Sequence, residues 1–182
     1  PRYSSSAASD VYKRQVRDSE NPECFDREIW KQMADQGLSG ILIPEEFGGS
    51  NFGLSGIGVV LQELGRTLTP SPLFATGVIG ASFLTKIGTD SQKQKYLPEI
   101  ANGNLTTCFA FEEGPRHKPI ISEVTAEKKG KNYIINGKKS FVVDGGFADL
   151  IIIAAKTSKG PSLFLADKNS KGIDINLSLI HI

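Results

Sequence analysis

The chain has 182 residues and a formal net charge of +1. That length suits one large domain or two small ones, and the near-neutral charge argues against binding to nucleic acid or an anionic membrane. No apolar run approaches the roughly eighteen residues that a membrane span needs. Cys24 and Cys108 are too few and too far apart for a disulfide framework or a zinc site. We therefore expect a reducing, cytoplasmic location and no metal site.

Both ends of the chain lack the pattern of a folded domain. Pro1–Gln15 contains a serine cluster without apolar periodicity, and Leu177–Ile182 stops abruptly. Both segments resemble translated cloning sequence, so we expect non-native tails over residues 1–15 and 177–182. Between them we expect an N-terminal α-helical domain over residues 16–104 and an incomplete middle β domain over residues 105–176.

The first half of the chain has the apolar periodicity of helices. Asp26 stands where an N-cap belongs, Phe25 and Trp30 on either side of it suit a hydrophobic staple, and Gly37 ends the helix. Apolar residues spaced three and four apart predict one face of a second helix. These residues are Leu54, Ile57, Leu61, Leu64 and Leu68.

Two further helices are predicted after the break at Pro70 and Pro72. The third covers about Leu73–Ile87, and its many small residues indicate that another backbone packs closely against it. Thr89 and Gln92 form a capping-box pattern for a fourth helix. That helix should be kinked or ended at Pro98.

Residues 105–176 read as short strands separated by turns. Polar, glycine-containing turns are predicted at Gly130–Asn132 and Asp144–Gly146. Strands joined in this way form a meander, so the expected fold class is α+β, with the helical domain followed by a small antiparallel β-sheet or barrel. The predicted strands are Leu105–Phe111, Glu123–Lys128, Tyr133–Val143, Leu150–Ala155, Ser162–Ala166 and Ile173–Ile175.

Several motifs that suggest ligand binding have simpler explanations. The glycines of Gly48–Gly58 match neither nucleotide-binding fingerprint and suit a loop and a helix entry. The lysines of Lys128–Lys131 suit a solvated turn. Neighbouring carboxylates such as Glu112 and Glu113 point to opposite faces of a strand, so they form no obvious acid/base dyad. His117 is the only histidine outside the C-terminal tail, which leaves a Ser-His-Asp triad without support.

The order of three short sequence blocks along the chain is typical of one protein family. They are Gly40–Ser50 (GILIPEEFGGS), Gln94–Pro98 (QKYLP) and Ile135–Asp149 (INGKKSFVVDGGFAD). Together they resemble the acyl-CoA dehydrogenase family, and the resemblance covers roughly residues 18–176. It implies an FAD-dependent flavoprotein of fatty acid or acyl-CoA metabolism, with Pro44–Ser50 in a loop that borders the acyl-binding side.

The family resemblance also implies a reaction. Members oxidise an acyl-CoA thioester to the trans-2-enoyl-CoA, with a glutamate taking the α-proton and the flavin accepting the β-hydrogen as hydride. Because that glutamate belongs to a C-terminal helical domain, we expect it beyond the end of this chain and name no catalytic residue. The chain is thus expected to be an inactive fragment with the C-terminal helical domain missing.

Two segments are placed against the flavin by the resemblance. In the first, Phe111–Glu113 replaces the family's Thr-Glu-Pro, and Arg116–Lys118 replaces its Gly-Ser-Asp. In the second, an aromatic residue is retained but Val143 replaces a threonine. The cofactor-binding residues implied in this way are Phe109, Ala110, Phe111, His117, Phe141, Val142 and Val143.

These departures leave alternatives open. Loss of the threonine hydroxyls suits a non-catalytic partner subunit of a heteromeric acyl-CoA dehydrogenase. A related acyl-CoA oxidase or flavin monooxygenase shares the same scaffold, and an unrelated α+β binding module would need the blocks to coincide by accident. The resemblance implies an acyl-CoA substrate, electron-transfer flavoprotein or a similar acceptor, and a homo- or hetero-oligomer.

Overall fold

A computed structural model of the chain describes residues 25–117, 123–130 and 132–176. The chain divides into two compact units, with the boundary between Leu105 and Thr106. Both predicted non-native tails lie outside the described residues, and so does Cys24. The expectation for the tails stays a prediction. None of the described helices is long and apolar enough to cross a membrane.

The first unit is helical in its described part, as predicted. A short 3-10 turn, Glu45–Phe47, lies between α1 and α2, and π-helical turns over Leu73–Gly80 run directly into α3. The α-helices are α1 (Arg27–Asp35), α2 (Gly53–Thr67), α3 (Ala81–Ile87) and α4 (Asp90–Ala101).

Helix α1 begins where its capping residue predicts. The Asp26 carboxylate accepts hydrogen bonds from the backbone N–H groups of Glu28 (2.8 Å) and Ile29 (3.2 Å). Trp30 is buried, and its indole N–H donates to the carbonyl oxygen of Gly103 at 3.0 Å. This bond anchors α1 on the turn that follows α4.

Helix α2 matches its predicted span, but its apolar stripe is only partly used. Ile57 is 3% exposed, whereas Leu54 is 74% exposed and Leu68 is 48% exposed. The three- and four-residue spacing therefore predicted the helix correctly, and the described unit covers only the middle of the apolar face.

The expected close packing of another backbone occurs at Gly77. A Cβ added there would lie 3.1 Å from the Ser39 carbonyl oxygen and 2.9 Å from the Leu73 side chain.

Helix α4 begins with the predicted capping box of Thr89 and Gln92. Of the two outcomes predicted at Pro98, a kink or an end, the end is wrong, because the helix continues through the proline to Ala101. The turn beyond the proline is held because the buried Ser39 hydroxyl donates to the Ala101 carbonyl oxygen at 2.7 Å.

The described part of the second unit contains a mixed β-sheet. Its strands are β1 (Thr107–Ala110), β2 (Thr125–Lys129), β3 (Asn132–Asn136), β4 (Leu150–Thr157) and β5 (Gly160–Asp167). Strands β2 and β3 form the predicted hairpin, and β4 pairs antiparallel with β5 along its whole length. Strand β1 runs parallel to β4, with Thr107 opposite Leu150.

The expectation of an antiparallel sheet throughout is therefore wrong for two pairings. Strand β1 and strand β2 are both parallel to β4, the latter through Thr125 opposite Lys156. Since β5 occupies one edge of β4, the other edge is available to strands from earlier in the chain. The α+β fold with a helical domain followed by a small β domain is confirmed.

Two predicted strands differ from the structure. The strand expected over Tyr133–Val143 ends at Asn136, because Gly137 (φ +140°) and Phe141 (φ +53°) leave the extended conformation. The strand expected at Ile173–Ile175 does not form; the Ile173 amide instead donates to the Ser170 carbonyl oxygen in a turn. The predicted turn at Asp144–Gly146 is confirmed.

Candidate functional site

Strand β1 carries the first of the two segments predicted to contact a flavin. Cys108 and Ala110 are buried, while Phe109 between them is only half-buried, as strand alternation requires. The Phe109 and Phe111 ring centroids are 5.5 Å apart, and the Phe111 and His117 centroids are 6.2 Å apart. Three of the predicted residues therefore form a continuous row of rings, whereas Ala110 faces the core.

His117 is held by a carboxylate. Its Nδ1 lies 2.5 Å from Glu112 Oε1, and the histidine side chain is 69% exposed. The second carboxylate oxygen, Glu112 Oε2, is buried and has no hydrogen-bond partner within the described residues. The pair places an imidazole ring at the end of the aromatic row, but a role for His117 in phosphate binding stays a prediction.

The second predicted segment alternates in the same way without being a strand. Phe141 is 73% exposed and Val143 is 56% exposed. Val142 instead packs against the buried cluster that contains Cys108 and Ala110. Two of the three predicted side chains therefore face outward, and the third fixes the segment to the core beside β1.

The structure brings the two segments together. The Ser140 amide donates to the Glu112 carbonyl oxygen at 2.8 Å. Ala110 and Val142 contribute to the same buried cluster. Residues that are 30 positions apart in the chain, Phe111 and Phe141, are thus carried by neighbouring backbones.

Sequence reasoning missed a buried ion pair between these segments. Lys139 Nζ lies 3.0 Å from Glu113 Oε1, with side chains that are 9% and 4% exposed. The Lys139 ammonium also donates to the Phe111 carbonyl oxygen at 2.9 Å. A signal was present, since each residue lies within two positions of a predicted flavin-contact residue.

A second polar network joins Thr106 before β1, Asp149 before β4 and Lys168 after β5. The Asp149 carboxylate accepts from the Thr106 hydroxyl (2.8 Å) and amide (3.1 Å), and Lys168 Nζ donates to its other oxygen at 2.8 Å. Burial raises the pKa of Asp149, but the hydrogen bonds from Lys168 and Thr106 lower it below its ordinary value overall. Asp149 is therefore a structural anion.

Asp144 has the opposite electrostatic setting. Burial raises the pKa of its carboxyl group from 3.8 to about 6. Burial, followed by the charge of Asp144, raises the pKa of the Cys108 thiol to about 12. A thiol in this setting stays protonated near neutral pH and is a poor nucleophile.

In the first unit, two of the three sequence blocks meet. Glu46 and Phe47 from Gly40–Ser50, with Gln94 and Pro98 from the second block, line an open depression of about 390 Å³. The loop of the first block is closely packed, because a Cβ at Gly49 would lie 2.0 Å from the Ile43 carbonyl oxygen. No group of three or more potential metal ligands occurs among the described side chains.

Comparison with known proteins gives two domain matches in order along the chain. The family model for the N-terminal domain of acyl-CoA dehydrogenase matches residues 5–104, and that for the middle domain matches residues 114–179. The first match includes part of the segment expected to be a non-native tail.

Individual relatives agree with the domain matches. Mitochondrial isovaleryl-CoA dehydrogenase of Pongo abelii is 32% identical over 171 residues, which cover 84% of this chain and 38% of that protein. A 3-(aryl)acrylate reductase of Clostridium sporogenes is 33% identical over 158 residues, covering 82% of this chain and 42% of that protein. This chain therefore spans about two-fifths of the length of these relatives.

Among solved structures, the ChsE4-ChsE5 complex of Mycobacterium tuberculosis contains a similar chain. The TM-score is 0.82 at 25% identity, and the aligned region covers 93% of this chain and 45% of that one. The similarity thus extends over both units of the described fold.

Proposed function

Because the chain belongs to the acyl-CoA dehydrogenase family, we propose that it is the N-terminal and middle part of an FAD-dependent enzyme. That enzyme oxidises an acyl-CoA thioester to the trans-2-enoyl-CoA. The observation that carries the proposal is the pairing of the two predicted flavin segments through Ser140 and Glu112.

The residues present fit a flavin ring. Phe141 and Val143 expose apolar side chains, and the half-buried Phe109 and Phe111 add a second apolar surface. An isoalloxazine ring laid against such side chains would remove apolar area from water. The proposed cofactor residues are the seven predicted from the resemblance, with Ala110 and Val142 acting through their backbones because their side chains contribute to the core.

Bound FAD would accept the hydride that leaves the β carbon of the substrate. The role proposed for this chain's own residues is to bind and orient the ring and to keep water from it. Val143 and Phe111 bring no side-chain hydroxyl to the flavin edge, so hydrogen bonds there would come from backbone amides. The base that removes the α-proton is proposed to lie in the C-terminal helical domain of the full-length protein.

The same proposal implies binding partners for the full-length protein. We infer that it binds an acyl-CoA substrate and passes electrons to electron-transfer flavoprotein or a similar acceptor. We also propose a cytoplasmic location. An assembly of like or unlike subunits is also proposed. The similar chain of known structure comes from a complex of two different proteins, which supports the hetero-oligomeric form.

A non-catalytic partner subunit is the second candidate function. It is favoured by Val143 and Phe111, which stand where the family carries threonine hydroxyls. An acyl-CoA oxidase or a flavin monooxygenase remains a variant of the first candidate, since the scaffold is shared and the reaction of the reduced flavin with oxygen differs.

FAD titration of the full-length protein tests the proposal. Val143→Thr should tighten FAD binding by about 0.5–1.5 kcal/mol, because it adds one hydrogen bond. Phe141→Ala should weaken binding by a larger amount, because it also removes ring contact. Ile134→Ala, at an exposed residue of β3, is the matched control and should change nothing. If neither site variant moves the dissociation constant, these segments do not contact flavin and the partner-subunit function becomes the better one.

A further inference from the structure

The Lys139–Glu113 pair connects three separate backbone segments. Beyond its bond to Lys139, the Glu113 carboxylate accepts hydrogen bonds from the amides of Glu123 (2.8 Å) and Val124 (3.0 Å). Lys139 in turn donates to the Phe111 carbonyl oxygen. The segment after β1, the entry to β2 and the segment after β3 are thus joined at one buried point.

Packing around the pair leaves little room for the segments to shift. A Cβ at Gly137, where φ is +140°, would lie 2.8 Å from Val124 Cγ2 and 3.0 Å from Val124 Cα. The backbone that leads into Lys139 is therefore pressed against the residue whose amide binds Glu113. Directly after Lys139, the Ser140 amide bonds to the Glu112 carbonyl oxygen.

The energetics of such a pair favour a role in geometry. A buried ion pair is often no more stabilising than apolar residues of the same volume, because both charges lose their hydration. Its hydrogen bonds nevertheless require fixed distances and directions between the groups it joins. The Lys139–Glu113 pair costs desolvation free energy, yet it fixes three backbone segments relative to one another. We therefore expect such a pair where the distance between those segments is important.

We propose that Lys139 and Glu113 are positioning residues that set the distance between the two flavin-contact segments. The inference rests on the proposed function. The pair touches neither substrate nor flavin in this role; it acts through the backbones of Phe111 and Phe141. Phe141 itself lies two residues from Lys139 and has a left-handed backbone (φ +53°) that its own side chain does not favour.

Hydrogen exchange on this chain tests the local effect. Lys139→Met should speed exchange of the Ser140 amide by roughly tenfold or more, while exchange of the Ile152 amide in the centre of β4 changes by less than about twofold. Lys139→Arg, which keeps the charge, should recover part of the protection and guards against a misfolded methionine variant. Lys138→Met is the matched control, because this neighbouring lysine is exposed, and it should leave both amides unchanged.

The double variant separates positioning from general stability. Glu113→Gln or Lys139→Met alone leaves one buried charge without its partner, whereas Glu113→Gln with Lys139→Met removes both charges. We therefore expect the double variant to unfold at a higher urea concentration than either single variant. Its Ser140 amide should still exchange rapidly. Equal acceleration at Ser140 and Ile152, or no acceleration at Ser140, would overturn the positioning role.

FAD binding to the full-length protein supplies the functional readout. Lys139→Met should raise the FAD dissociation constant roughly tenfold or more and shift the visible spectrum of the bound flavin, and Lys139→Arg should restore much of the affinity. An unchanged constant and spectrum would overturn the inference while leaving the proposed function intact. A wild-type protein that binds no FAD would overturn the proposed function, and the exchange at Ser140 would still decide whether the pair positions the backbone.

Discussion

Single residues in the second unit show how closely burial and charge are balanced. Asp144 has a positive φ of +60° and a partly buried carboxyl group whose pKa burial raises to about 6. Its charge contributes to the raised pKa of Cys108. Asp149, five residues later, has a lowered pKa because Lys168 and Thr106 bind its charged form. The pKa values of these two aspartates are therefore shifted in opposite directions, although the sequence alone does not distinguish them.

The raised pKa of Asp144 predicts a pH-dependent stability. A carboxyl group with a raised pKa in the folded state contributes stability that is present below its ordinary pKa of 3.8 and is lost as the pH rises through about 6. Asparagine cannot ionise and also tolerates a positive φ. Asp144→Asn should therefore match the wild type at pH 3.5 and exceed it by about 1–2 kcal/mol at pH 7, a value reduced for solvent screening.

Urea unfolding at pH 3.5, 5, 6 and 7 measures this difference. Glu127→Gln, which removes a carboxylate from an exposed position on β2, is the control and should show no such trend. A difference between Asp144→Asn and the wild type that is the same at all four pH values would contradict the prediction.

At the scale of elements, β4 organises the sheet. It pairs with β1 and β2 on one edge and with β5 on the other. Its residues are buried on both faces, since Ile152 is 1% exposed and Ala154 and Ala155 are 0% exposed. Central strands covered on both faces read as continuous apolar runs, which explains the sequence Leu150–Ala155.

The position of β4 predicts unequal costs for two similar truncations. Ile152→Ala removes a fully buried side chain and should lower the free energy of unfolding by about 2–5 kcal/mol. Ile134→Ala on β3 affects a residue that is 47% exposed and should cost less than about 1 kcal/mol. Equilibrium denaturation of the two variants decides the point, and equal losses would show that β4 is not the centre of the folded sheet.

At the scale of the whole molecule, the two units correspond to the N-terminal and middle domains that the family models match. The chain spans about 38% of the mitochondrial relative's length. In the first unit, apolar side chains such as Phe52 (75% exposed) and Leu54 (74% exposed) lie open on the surface around α2.

Because the chain spans about 38% of the mitochondrial relative's length, we predict that it is inactive in isolation. Incubated with FAD and a saturated acyl-CoA, it should not bleach the flavin absorbance, because we propose that the catalytic glutamate lies in the C-terminal helical domain of the full-length protein. The full-length protein, assayed in parallel, is the positive control and should bleach flavin if it is a dehydrogenase. Bleaching by the isolated chain would contradict the prediction and place the base within these residues.

Local interactions explain what the sequence predicted well. The Asp26 cap and the Thr89–Gln92 capping box act within one helical turn, so their residues fix where α1 and α4 begin. The family resemblance, carried by three short blocks, was likewise confirmed by the domain matches. The seven predicted flavin residues stay predictions, although the structure brings their two segments together.

Contacts between distant residues were decided by the tertiary structure alone. The parallel pairing of β1 with β4 joins residues 43 positions apart, as for Thr107 and Leu150, and no local pattern specifies strand direction. Helix α4 continues past Pro98 because Ser39, 62 positions from Ala101, binds its last turn. The Lys139–Glu113 pair spans 26 positions. Sequence determines elements through neighbours within a turn or a pleat, whereas pairing and burial depend on which surfaces the folded chain brings together.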